Sequence, residues 1–384
     1  HKSVTILANI IMHAHMQTLN CFHHASHRLP VVYRYPASKL EILRDKAQMA
    51  TSLSKSNRDL PNTTSQRSKG TAGSVAVENP LHERRRPSQG QLTQAVVFPS
   101  PVPIVDIGVN LVDYSFRSDL RDVLQRAYDA NVRALVVTGT CVHTSTAAAQ
   151  LCDAQRDSYP LFFTAGVHPH NAKKCNDTTL GELRRLAAHP RCVAIGECGL
   201  DFNRNFSPPD VQEKWFEAQV LLAKELRRPL FMHCRDAGKQ FANILSRHMP
   251  LPAAAVVHCF TGSRQELDSF LQLGLYIGIT GWICDDRPER GGPELASLLC
   301  SIPRDRLMIE TDAPYLAPRS IKPSRARPGR NEPALLPHVL MAAAAAIGIT
   351  PEELGKSTTA TACRVFGLPG DTLGLQHHHE DGVE

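Results

Sequence analysis

Hydrophobic and polar positions give this chain two textures. From Val102 onward, short aliphatic runs that end abruptly in polar residues alternate with longer stretches that read as helices. Before Val102 no sustained period holds. The short runs are PIVDIGVNL (103–111), ALVVTGT (134–140), LFFTAGVHPH (161–170), CVAIGECGLD (192–201), PLFMHCR (229–235), AAAVVHCF (253–260), LYIGIT (275–280) and LMIETDAPY (307–315). Such runs predict strands buried on both faces, as in a parallel sheet. Helices are predicted near 118–131, 144–156, 178–188, 209–226, 237–247, 264–273 and 293–300, with further helical sequence over 333–347 and 351–366. Eight strands, each followed by a helix, in about 265 residues predict an α/β fold, a closed (β/α)8 TIM barrel. A doubly wound open sheet is the alternative, but no Gly-x-Gly-x-x-Gly follows the first strand.

The expected organisation is a largely disordered extension over 1–101, the barrel over 102–367 and a polar tail over 368–384. The extension is rich in His, Ser, Arg, Asn and Gln, and carries the basic run Arg84-Arg85-Arg86. One amphipathic stretch at 38–53 has the pattern of a short helix, while the rest has the composition of disorder. Its first 40 residues contain no Asp or Glu, which resembles an organelle transit segment. A cytoplasmic location is the first expectation, and a mitochondrial or nuclear one follows if the extension is a targeting segment. No apolar run reaches the ~18 residues of a membrane span, so no membrane partner is expected.

Charge changes the picture only when divided. The net charge is +6. Residues 1–100 hold 13 Lys+Arg against 5 Asp+Glu, and the remainder holds 30 against 32. The predicted barrel is therefore close to neutral. That excludes a broad electrostatic nucleic-acid footprint and leaves any phosphate grip to a few local groups. The 11 cysteines show no Cys-x-x-Cys spacing. Cys198, Cys234 and Cys259 each follow a candidate metal ligand directly, so along an ideal strand each would face away from it. They read as small buried thiols, which fit a reducing compartment.

The candidate chemistry sits where four strands end: Glu197 in VAIGECGLD, His233 in PLFMHCR, His258 in AAVVHCF and Asp312 in LMIETDAPY. Strand ends of a β/α barrel converge on one face. Two imidazoles and two carboxylates meeting there make a divalent-metal hydrolase site. A lone histidine after a strand is more often a hydrogen-bonded rim residue, and an Asp before Ala-Pro more often a turn former. Four such residues at four equivalent places favour the metal reading.

DIGVNL (106–111), AGVHPH (165–170), AIGECGLDFNRNF (194–206), FMHCRDA (231–237), HCFTG (258–262), YIGITGW (276–282), IETDAPYL (309–316) and RNEP (330–333) together resemble the TatD-type deoxyribonucleases of the metal-dependent hydrolase superfamily. The resemblance spans about 104–367, which is the predicted barrel of roughly 250 residues. It implies a divalent-metal nuclease that hydrolyses phosphodiester bonds of DNA from 3′ ends. It also implies roles: Glu197 as the carboxylate shared between metals, His233 and His258 as imidazole ligands, and Asp312 as the aspartate that contacts metal and orients the attacking water. Glu197 and Asp312 are thus the expected catalytic pair. Many members of the superfamily carry His-x-His at the end of the first strand. Here Gly108 and Asn110 replace both histidines, which predicts one firm metal and a weak second one. Mg²⁺ is the expected ion, and the mixed donor set also accepts Mn²⁺ or Zn²⁺.

Substrate contacts are expected from His168, Arg204 and Arg235, since guanidinium groups bind phosphate bidentately. Trp282 and Tyr315 are candidates for base stacking. Glu332 is expected to anchor the loop after the last strand. The expected partner is single-stranded DNA or DNA 3′ ends, and the expected state is a monomer. The competing function is a hydrolase of a small ester, amide or lactone using the same metal site. A non-catalytic binding barrel is the weakest reading, because all four ligands are present.

Overall fold

Each aliphatic run becomes one strand of a single ring. The computed structural model describes residues 96–287 and 290–370. Its strands are β1 (Ile104–Val109), β2 (Val132–Val137), β3 (Leu161–Ala165), β4 (Cys192–Asp201), β5 (Leu230–Arg235), β6 (Ala255–Val257), β7 (Tyr276–Ile279) and β8 (Leu307–Ile309). They pair in sequence order, all parallel. The ends of β1 and β8 join through Asp312 N donating to Gly108 O (2.9 Å) and Asn110 N donating to Ala313 O (2.8 Å). The helices are α1 (Leu120–Asp129), α2 (Val142–Ala154), α3 (Thr179–Ala187), α4 (Pro209–Leu226), α5 (Gly238–Ser246), α6 (Arg264–Gln272), α7 (Gly292–Leu298), α8 (Leu336–Ile347) and α9 (Pro351–Phe366).

The two-residue strand period splits the core in two. Val105, Ile107, Ala134, Val136, Phe162, Ala194, Phe231, Val256 and Met308 form an inner cluster with Ala362, Val365, Phe366 and Leu368. Ile104, Val109, Leu135, Val137, Leu161 and Phe163 belong to the larger cluster shared with the helices. Both faces of the strands are apolar for this reason, and each buried Val, Leu, Ile or Phe stabilises the fold by about 1.5–3 kcal/mol. Helix α9 delivers the inner plug. Thr350 caps it, Glu353 completes the capping box, Pro351 opens its first turn, and Gly367 ends it at φ 63°.

Three expectations are corrected at element ends. The third strand stops at Ala165 rather than His170, because Pro169 opens a 3₁₀ turn, Pro169–Lys174. The sixth stops at Val257, before His258. The eighth stops at Ile309, and Glu310 to Tyr315 form the loop that joins β1. The packed chain also begins before 102: Val96 is buried against Ile321 and Leu335. The expected helix at 38–53, the basic run, the targeting segment and the polar tail from 371 onward lie outside the described residues. Among the described residues, no single helix is long and apolar enough to cross a membrane.

Candidate metal centre

The register of β4 against β5 explains how Glu197 reaches the interior. Gly196 pairs with Phe231 and Cys198 with Met232, so Glu197 is an extra residue in β4, a bulge that re-aims its side chain. Gly196 permits this: its φ is 146°, and a Cβ there would overlap the Phe231 carbonyl. Glu197 N donates to Gly139 O (2.7 Å). Cys198 keeps the opposite face, buried in the outer core as expected.

Glu197 Oε1 is the meeting point of three imidazoles. His258 Nε2 lies 2.7 Å from it, His233 Nδ1 3.2 Å and His168 Nε2 3.3 Å. His233 lies in β5 two residues before its end, His258 follows β6, and His168 caps the turn after β3. His168 was expected to bind substrate. The structure places it in a group with Glu197 and His233 whose ligand atoms lie within 4.8 Å of one another. Two donors bound at ~2.0–2.2 Å around one tetrahedral cation stand roughly 3.4 Å apart. The donor set and its spacing therefore fit a divalent ion.

Two of the three imidazoles, His233 and His258, have a second carboxylate behind them. Asp201, the last residue of β4, lies 3.3 Å from His233 Nε2 and 2.7 Å from His170 Nε2. Its other oxygen accepts from Asn203 N and Arg204 N. Glu310 is fully buried, 3.4 Å from His258 Nδ1, and accepts from Cys259 N at 2.5 Å. Carboxylates behind ligand imidazoles fix ring orientation and tautomer. Phe231 stacks beneath His258 with centroids 4.5 Å apart. Gln219 and Gln212 of α4 pin the loops: Gln219 bonds both backbone groups of Val167, and Gln212 accepts from Asp201 N.

Burial raises the Glu197 carboxyl, but His258 and His168 reverse this and hold it well below its ordinary value. Burial lowers His258, yet Glu197 and Glu310 lift it well above the usual imidazole range. His233 follows the same pattern with Asp201 and Glu197. His168 is different: burial takes it down to about 4, and its Nδ1 accepts from His170 N. Burial lifts Asp312 to about 7, opposed by His258 and reinforced by Glu197 and Glu310.

Asp312 turns in at φ 52° after β8. Asn110 Nδ2 donates to its Oδ1 at 3.0 Å, so Asn110 positions Asp312 with its amide nitrogen. The loop carrying Asp312 is clamped by the RNEP segment. Asn331 Nδ2 donates to Thr311 O and Tyr315 O, and Glu332 is held by Arg126 (2.8 Å) and Arg330 (2.7 Å). Glu332 thus anchors this loop as the sequence suggested. Asp106 does not face the imidazoles. It accepts from Thr311 N and Thr311 Oγ1.

The arginines are less central. Arg235 donates to Thr261 Oγ1 and lies over the Trp282 ring, at the edge of a cavity of about 230 Å³. That cavity sits beside the imidazole cluster: Phe260, Thr261, Ser263 and Glu266 line it, and Glu197 and the histidines do not. Arg204 is exposed on the loop after β4. Cys259 departs from expectation. The strand has ended, its φ is 45°, and its thiol lies 3.7 Å from Thr280 Oγ1 instead of in the outer core. Burial, then Asp312 and Glu310, keep that thiol protonated.

Sequence reasoning missed Glu310, Asp201 and His170. Glu310 and Asp201 lie inside the quoted motifs, two residues before Asp312 and four after Glu197. A strictly apolar strand ending in Glu-Thr-Asp offered two inward carboxylates, and only the second was singled out.

Residues 105–367 match the family model described as TatD related DNase. The chain is 50% identical over 264 residues to a protein of Erwinia billingiae named 3′-5′ ssDNA/RNA exonuclease TatD, covering 69% of this chain and 99% of that one. A Citrobacter rodentium protein of the same name is also 50% identical over 264 residues, with 68% and 97% covered. Among solved structures, the YjjV TatD homologue of Escherichia coli K12 matches with TM-score 0.61 and 27% identity, over 69% of this chain and 98% of that one. A TatD family hydrolase from Entamoeba histolytica matches with TM-score 0.62 and 25% identity, over 69% and 98%.

Proposed function

Because the chain belongs to the TatD-related DNase family, we propose that it is a divalent-metal-dependent exonuclease that shortens single-stranded DNA, and RNA, from the 3′ end. It is a hydrolase of phosphodiester bonds. The observation that carries this reading is the convergence of His258, His233 and His168 on one oxygen of Glu197. With Asp312 nearby, this is a donor set for a hard-to-borderline cation.

In this reading Glu197, His233, His258 and His168 hold the cation, and Mg²⁺ is the ion we assign. When bound, such an ion acidifies water and offsets charge on the phosphoryl oxygens. The chain's own residues do the rest. Asn110 occupies Oδ1 of Asp312, which leaves Oδ2 to take the proton from the attacking water. A carboxyl lifted by burial to about 7 is matched to accepting and releasing a proton near neutral pH. Asp201 and Glu310 keep His233 and His258 in register while this happens. Arg204 and Arg235, from the neighbouring ends of β4 and β5, are assigned to phosphates beside the reacting one. Buried thiols such as Cys152, Cys192 and Cys198 suit a reducing compartment, and we assign the cytoplasm.

The test is direct. Purified protein with Mg²⁺ and 5′-labelled single-stranded DNA or RNA should give a ladder shortening from the 3′ end, abolished by EDTA. Intact strands in both reactions at micromolar enzyme would sink the exonuclease reading.

A further inference from the structure

Large apolar side chains left in water point to what they meet. Among the described residues, six are exposed: Tyr114, Tyr128, Phe206, Leu221, Tyr315 and Met341. Three of these, Tyr114, Phe206 and Tyr315, occupy loops after β1, β4 and β8, on the face where the imidazoles gather. Phe206 is 55% exposed and Tyr315 56%. Each of these two loops therefore leaves an aromatic ring in water on the face where the imidazoles gather.

The Phe206 ring and the Tyr315 backbone are both tied to residues of the cluster. Phe206 stands edge-on to His170, with centroids 4.7 Å apart, and His170 bonds the Asp201 carboxylate beside His233. Tyr315 N donates to Asp312 O at 3.1 Å, and Asn331 holds the Tyr315 carbonyl. Strands β4 and β8 lie on opposite sides of the eight-strand ring, so the two loops flank the cluster from two sides.

We propose that Phe206 and Tyr315 are base-stacking residues that hold the nucleotides on either side of the bond to be cut, and so select single strands. The proposal rests on the exonuclease reading above and adds a specificity device to it. In a duplex each base already spends both faces on its neighbours. Only an unstacked base can cover an aromatic ring, and every base has such a face, so the preference is for strandedness and not for sequence. Arginines alone would grip the phosphates of duplex and single strand alike.

The experiment compares intact single strands with strands lacking the base at the 3′-terminal or the penultimate nucleotide. An abasic nucleotide keeps its phosphate, so it removes stacking and leaves the arginine contacts. Affinity is read by fluorescence anisotropy in EDTA, and KM and kcat are read with Mg²⁺, for wild type, Phe206→Ala, Tyr315→Ala and Phe206→Trp. Wild type should lose about tenfold in affinity when either base is missing. Phe206→Ala should lose about tenfold on the intact strand and nothing further at one of the two abasic positions, and Tyr315→Ala should do so at the other. The loss should fall in KM rather than kcat, and Phe206→Trp should restore it. Alanine variants that retain the full abasic penalty, or bind intact strands as wild type does, overturn the proposal. So does wild-type self-association that the variants abolish while strand affinity is unchanged, since the rings would then face protein. Cleavage by wild type without any abasic penalty overturns this proposal alone. Absence of cleavage of any strand overturns the exonuclease reading with it.

Discussion

A Cβ placed on Gly108 would overlap the Glu310 carboxylate, and so would one on Gly278. The space that a side chain at the end of β1 would fill is thus taken by a carboxylate arriving from β8. Glycine at 108 is a packing requirement of Glu310, and Glu310 in turn faces His258.

That relationship predicts coupling. Gly108→Ala should destabilise the fold by about 1–3 kcal/mol, the range for overpacking a tight core. In a Glu310→Ala background the same substitution should cost far less, since its partner is gone. Urea denaturation of the four proteins measures the cycle, and equal costs in both backgrounds would show that the two residues do not contend for one space.

Asp312→Asn keeps the size of the side chain and removes the base. Single-turnover cleavage should fall by roughly 10²–10⁴-fold, the general-base range, while metal affinity largely persists. His233→Ala should instead lose metal first, so excess Mn²⁺ should recover part of its activity. A near wild-type rate for Asp312→Asn at saturating metal would assign proton transfer to another group.

Asp201 touches neither Glu197 nor any expected substrate atom, yet it sits between His233 and His170. Asp201→Asn should weaken metal binding by about 10–100-fold, as removal of a carboxylate behind a ligand histidine does. Calorimetric titration with Mn²⁺ reads this without any nuclease assay. Unchanged affinity would leave Asp201 a purely structural cap for Asn203 and Arg204.

Asp106 gives the pH prediction. Burial lifts its carboxyl from 3.8 to about 8, with Thr311 opposing. A carboxyl raised in the folded state favours folding below its unfolded pKa and loses that contribution as pH rises toward the folded one. Wild type should therefore lose stability relative to Asp106→Asn between about pH 4 and 8, by up to about 1.4 kcal/mol per pH unit within that window. The amide can keep the Thr311 contacts, because the hydroxyl can turn to accept. Thermal melts of both proteins at pH 5 and pH 8 supply the comparison, and a constant difference would contradict the raised carboxyl.

The sequence carried the barrel because aliphatic runs buried on both faces are rare outside parallel sheets, and eight of them alternate with helices. It also carried Glu197, His233, His258 and Asp312, each a polar break at the end of an apolar run. What it hid depended on backbone irregularity. The bulge that turns Glu197 inward, the early end of β3 that brings His168 to Glu197, and the φ of 45° that keeps Cys259 near the site all break the two-residue period. Period-based reasoning fails at such residues. Glu310 was hidden otherwise: its role depends on the emptiness of Gly108 and Gly278, and an absent side chain carries no signal until its neighbours are seen.

The plug formed by Phe366, Val365 and Leu368 against Phe231 and Met308 closes one end of the ring. A vessel with a sealed floor cannot be threaded. A polymer enters and its fragment departs by the same opening, and the fresh end cannot advance until the fragment has gone. Digestion of a long strand then waits on the release of each fragment. Its pace on a long strand depends on how quickly the opening empties as much as on how quickly a bond breaks.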